Sequence, residues 1–201
     1  MKLLIKNRSG QGMVEAIIAV AILVTGVVTT VVLGVTTIRA GQAAQNRTIA
    51  DNLAREGIEH VRHIRDTNWL NSPVDWHDQL CPILTDYTAI LEYNPIVSDW
   101  NLNFNFDSMD QPQARIFLEE GKDSGEKYAY YLQTSEFITP EGAQDTPFRR
   151  LLTVIPMNAE SQLVTDCDSA DYFSVKADVE WEEKGTLYNS TLIEHLYNWK
   201  T

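Results

Sequence analysis

Between Glu15 and Arg39 the chain carries no charged side chain, and residues 16–38 are built only from Ala, Val, Ile, Leu, Thr and Gly. As an α-helix rising ~1.5 Å per residue this run reaches about 35 Å, enough to cross a hydrocarbon core of ~30 Å. A secretory signal peptide has a shorter apolar region of about 7–15 residues, followed by a small-residue cleavage site. The run is also rich in β-branched residues. A membrane helix tolerates them, because a segment surrounded by lipid has to pair its backbone polar groups internally. One carboxylate, Glu15, stands at the mouth of this helix, where insertion scales charge about 2.5–3.5 kcal/mol for an acid at the bilayer centre. A chain that keeps such a residue is expected to use it.

Lys2, Lys6 and Arg8 precede the run, and only Arg39 follows it closely. The positive-inside bias places the N-terminus in the cytoplasm and residues 40–201 outside. The chain carries a net charge of −12, although three of its 16 basic residues lie in the first ten positions. So acidic a surface repels phosphate backbones. Arg62, Arg65, Arg149 and Arg150 are too few and too scattered to form a basic patch, and no nucleic-acid partner is expected. Two cysteines, Cys81 and Cys167, lie far apart in sequence. They are compatible with one disulfide in a domain outside the cytoplasm, or with two unpaired thiols, and only their geometry decides.

The segment Ser9-Gly10-Gln11-Gly12-Met13-Val14-Glu15 resembles the processing site of type IV prepilins and pseudopilins: a short basic leader, a glycine, four mostly apolar residues, then a glutamate opening a hydrophobic helix. Gly10 matches the glycine before the cut and Glu15 the glutamate at the fifth mature position. Gln11 stands where the family usually has Phe or Met. Gly12 is a competing cleavage glycine that would leave Glu15 third, and the glutamate spacing favours Gly10. The resemblance implies that a prepilin peptidase cuts after Gly10 and that the new amine of Gln11 is N-methylated, so the chain is a substrate and not an enzyme. It also implies a pairing of Glu15 with the N-terminal amine of an adjacent subunit. That agrees with the general need of a buried carboxylate for a partner. The plain alternative, a glutamate at the headgroup level of an ordinary signal anchor, leaves the glycine and the leader unexplained.

Beyond the apolar run, Ala50, Leu53, Ala54, Gly57, Ile58, Val61 and Ile64 recur at three- and four-residue steps, with Arg47, Asp51, Arg55, Glu59, Arg62 and Arg65 filling much of the rest. This is the pattern of a helix laying one stripe on a core. The stretches Asn52-Leu53-Ala54-Arg55-Glu56-Gly57-Ile58-Glu59 and Ile64-Arg65-Asp66-Thr67-Asn68-Trp69-Leu70 also look like other bacterial pilin-like proteins, less specifically than the processing site. Asn71-Ser72-Pro73 breaks the helix. Phe173, Val175, Ala177, Val179 and Trp181 then alternate with polar residues, as in a strand with one wet face. Glu183-Lys184-Gly185 turns it into a hairpin with residues 187–199. Residues 114–119 and 127–133 flank a charged turn as a second hairpin, and residues 148–157 read as a central strand. Residues 71–113 are less regular, with Trp69, Trp76, Trp100, Phe104 and Phe106 as anchors of a small core. The expected fold is α+β: a long N-terminal membrane-spanning helix whose C-terminal half packs on an antiparallel β-sheet head, as in pilins. It divides into a leader (1–10), a transmembrane helix (11–38), its amphipathic continuation (39–66) and a globular head (67–201).

The remaining constellations are weak. His60 and His63 sit beside Arg62 and Arg65, a poor setting for a metal. Asp166, Asp168 and Asp171 gather before a strand, as calcium loops do, but lack the glycine and terminal glutamate of an EF-hand. A solvated acidic turn is the simpler reading. Asn46-Arg47-Thr48 and Asn189-Ser190-Thr191 match a glycosylation acceptor by a pattern common by chance. Glu119, Glu120, Glu182 and Glu183 lie beside turns and read as solubility. No phosphate loop, nucleophile elbow or zinc-protease motif is present, so neither catalysis nor a cofactor is expected. The expected role is a structural subunit of a type IV pilus or a type II secretion-like filament. Its partners would be prepilin peptidase/N-methyltransferase, other pilin or pseudopilin subunits, the assembly platform and ATPase, and the inner membrane. A single-pass anchored binding module that never polymerises shares this topology and predicts an intact leader. A tethered enzyme would need a catalytic site that these residues do not offer.

Overall fold

The computed structural model describes residues 9–71, 74–82, 86–94, 99–123, 126–135 and 142–198. The chain forms two compact units, divided between Asn46 and Arg47, with the first helix running through both. That helix, α1, is Ser9–Leu70, 62 residues long. Its last turn is closed by the Asn71 amide donating to the Thr67 carbonyl at 3.1 Å. It therefore runs four residues past the expected stem boundary of 66, up to the Asn-Ser-Pro break.

In the first unit every side chain from residue 12 to residue 45 is exposed. The stretch is long and apolar enough to cross a membrane and is consistent with a single-pass anchor. Its threonine hydroxyls are turned inward on the backbone. The hydroxyls of Thr25, Thr29, Thr30 and Thr37 each donate to the carbonyl four residues back, and that of Thr36 to the carbonyl three back, at 2.8–2.9 Å. Such bonds hide hydroxyls that would otherwise be costly in an apolar medium.

The second unit is the last third of α1 on one face of a seven-stranded antiparallel sheet. The strands are β1 Thr88–Asn94, β2 Asp99–Asn103, β3 Arg115–Asp123, β4 Glu126–Leu132, β5 Ala143–Met157, β6 Tyr172–Glu183 and β7 Thr186–Tyr197. β5 is the spine. Residues 148–157 pair with β6 along one edge, while the other edge takes β3 and, further along, β1 at Leu152 and Thr153. β2 lies outside β1, β4 outside β3, and β7 outside β6. Between β3 and β5 the register slips where Pro147 interrupts β5, because proline has no N–H to give the ladder. Thr146 fills the gap with its hydroxyl, donating to the Ile116 carbonyl at 2.5 Å and accepting from the Phe148 amide.

The expected stripe is the one that is buried: Ala50, Leu53, Ala54, Ile58, Val61 and Ile64 lie against Ala89, Leu91, Ile116, Leu152, Val154, Phe173, Val175, Ala177 and Val179. Gly57 makes this contact close, since a Cβ there would stand 2.8 Å from Leu152 Cδ2. The hairpin of β6 and β7 turns at Lys184 and Gly185, both with positive φ. The span 71–113, expected to be irregular, contains the β1–β2 hairpin. In β1 the consecutive Ala89, Ile90 and Leu91 are all buried, so both faces are apolar and no period of two stands out. Trp76, Trp100 and Phe104 join the main core, and Phe106 packs on a second cluster of Ile90, Ala114 and Leu151 on the opposite side of β1 and β5. The charged turn between β3 and β4 is shorter than expected, because the strands extend to Asp123 and from Glu126. Trp199 lies outside the described residues, as do most of the leader residues.

Candidate functional site: the N-terminal helix and its joint to the head

Gly10 and Gln11 lie in the first turns of α1, and Glu15 follows on the same unbroken helix. The Glu15 side chain is exposed, and among the described residues none pairs with it. It shares a helix face with Ile18, Ala19 and Ile22, one and two turns further on. The carboxylate therefore opens an apolar surface with no side-chain partner among the described residues. Water or a lipid headgroup, the leader, or a second chain would each satisfy it.

At the other end of α1 the helix is locked to the sheet by a buried cation that the sequence reading passed over. Arg150 on β5 is fully buried. Its guanidinium donates through Nη1 to the Leu53 carbonyl at 2.9 Å and to Glu56 Oε1 at 3.1 Å, and through Nε to Gln133 Oε1 at 2.9 Å. Gln133 in turn donates to the carbonyls of Ala114 and Arg150. Nη2 has no acceptor among the described residues. Burial pushes the Arg150 pKa down, and the neighbouring Glu56 pulls it back up. The signal in the sequence was a pair of arginines, Arg149-Arg150, inside an apolar strand. Only one of the two can face solvent on a pleated strand, so the other has to be buried. Further along the helix, Arg62 pairs with Glu194 of β7 and with Glu59, and the hydrogen bond it donates to Glu194 leads in raising its pKa.

Cys81 and Cys167 form a disulfide with a Cα–Cα distance of 6.0 Å. It staples the segment after α1 to the loop before β6. The three carboxylates singled out beside it do not converge. Asp166 accepts from the Asp168 amide at 3.2 Å, Asp168 faces His77 Nε2 at 2.9 Å, and Asp171 accepts from the Ala159 amide at 2.7 Å. They cap the loop and do not surround one point. His60 and His63 also separate: His60 lies against the Trp100 ring at 4.4 Å, and His63 is exposed.

No family model, no curated protein and no solved structure matches this chain.

Proposed function

We propose that this chain is a prepilin-like subunit. It would be cut after Gly10 by a prepilin peptidase, N-methylated on Gln11, held in the cytoplasmic membrane with its head outside, and drawn into a pilus or secretion-type filament through α1. The observation that carries the reading is one of register: a glycine, a glutamate five residues later, and an uninterrupted helix that is wholly exposed while apolar and then buries one stripe on a sheet. The exposed apolar length asks for lipid or for other helices. The Cys81–Cys167 bridge supports a head outside the reducing cytoplasm. Glu15 then has a use. In a lone chain it is a cost, and in a bundle it meets the amine released by cleavage on a neighbouring subunit.

Co-expression with a prepilin peptidase tests the processing step. The wild-type chain shortens, Gly10→Leu stays intact, and Gly12→Leu still shortens. Cleavage of Gly10→Leu, or a wild-type chain that never shortens, contradicts the reading and leaves the non-polymerising anchored module in its place. Glu15→Ala tests the pairing: cleavage and membrane insertion persist while incorporation into filaments falls. Unchanged incorporation removes the role assigned to Glu15.

A further inference from the structure

The disulfide draws together three side chains that stand far apart in sequence. Asp75 and His77 lie in the turns that follow α1, and Asp168 comes directly after Cys167. One ligand atom from each, an imidazole nitrogen and two carboxylate oxygens, lies within 4.8 Å of the other two. We propose that Asp75, His77 and Asp168 bind one divalent cation of borderline softness, Zn2+ being the best fit.

The ligand set decides the class of cation. Calcium and magnesium take all-oxygen sites, whereas one imidazole with two carboxylates suits zinc and its first-row neighbours. One of the three spacings, between His77 and Asp168, is close to that of a bound state. Two ligands each ~2.0–2.1 Å from a tetrahedral ion are about 3.3 Å apart. His77 Nε2 and Asp168 Oδ1 are 2.9 Å apart, so the pair needs to open by only a few tenths of an ångström. Asp75 and Asp168 are both exposed and can make that adjustment, while His77 is half-buried and fixed.

Charge points the same way. A histidine–aspartate pair is complete with one carboxylate, and a second one close by adds repulsion that a cation removes. The site is also held ready. Asn68 at the end of α1 donates to the carbonyls of Asp78 and Trp76, the Asp78 and Leu80 amides close turns on the carbonyls of Asp75 and His77, and the disulfide clamps the opposite wall. The open coordination positions face solvent, where water completes the shell. Neither half was readable alone: Asp75-x-His77 is too short to mean anything, and its third member is 91 residues away.

The inference does not depend on the prepilin-like reading, and its test involves neither cleavage nor filaments. The full chain, purified in detergent micelles and stripped with a chelator, is titrated with Zn2+ by calorimetry, with a thermal melt beside it. One site per chain and a raised melting temperature are expected. His77→Gln and Asp75→Asn each weaken binding at least tenfold, and His63→Gln leaves it unchanged. Asp75 is exposed, so its variant keeps the test valid if His77→Gln fails to fold. No binding to the wild type, wild-type affinity in either the Asp75→Asn or the His77→Gln variant, or Ca2+ displacing Zn2+ at equal concentration overturns the proposal.

Discussion

From residue 12 to residue 45 every side chain of α1 is exposed, whereas from Ala50 onward one stripe of the same helix is buried against β1, β3, β5 and β6. The backbone is helical in both stretches, and the reasons differ. In the first stretch the backbone ladder and the inward-turned threonine hydroxyls hold the conformation, and among the described residues no other element covers its apolar surface. In the second, the environment is built in: a sheet face, a buried arginine reaching the Leu53 carbonyl, and a disulfide just beyond the helix end. Even the glycines divide this way. A Cβ at Gly12, Gly26, Gly34 or Gly41 meets nothing within 4 Å, and one at Gly57 meets Leu152. Stability and insertion should therefore be separable by mutation.

The largest effect is expected from the staple. Replacing Cys81 and Cys167 by serine reopens an 86-residue separation and costs the head about 4 kcal/mol. At ~2–4 °C per kcal/mol for a domain of this size, that lowers the melting temperature by about 8–16 °C. Membrane association measured by flotation stays as it was. Next is Arg150→Ala, which removes one partner of a buried ion pair and strands Gln133 and Glu56. A loss of about 3 kcal/mol in chemical denaturation is expected. Glu56 is one-third exposed and recovers part of its solvation, so the loss falls at the low end of the range for buried pairs.

Val28→Arg inverts the pattern. It costs about 2.5–3.5 kcal/mol on insertion scales and depletes the membrane fraction, with the melting temperature of the head unchanged. A head that melts earlier in this variant would show that the two stretches are coupled. Gly57→Ala is the smallest of the four. Overpacking against Leu152 costs about 1–3 kcal/mol and the gain in helix propensity returns about 1, leaving a net loss near 1 kcal/mol. Gly34→Ala, with open space around it, serves as the neutral partner in the same melt.

What the sequence made legible follows the same division. The anchor was carried by an unbroken uncharged run of 23 residues, and the buried stripe from Ala50 to Ile64 and strand β6 by a strong period, 3.6 and 2. The β1–β2 hairpin was not, because Leu91 and Ile90 face different clusters and its two strands are short. The long β5 was read only from residue 148, because Pro147 hides its first third. Contacts over long separations were invisible: the Cys81–Cys167 pairing stayed open, and neither Arg150 with Leu53 nor His77 with Asp168 has any local pattern. The Gly10–Glu15 spacing was legible because six consecutive residues contain all of it.

The central claim concerns where the mature chain begins. Mass spectrometry of the native protein's N-terminal peptide tests it most directly. The account predicts a peptide starting at Gln11 with one added methyl group on its amine. A peptide starting at Met1, or at a site unrelated to Gly10, contradicts it.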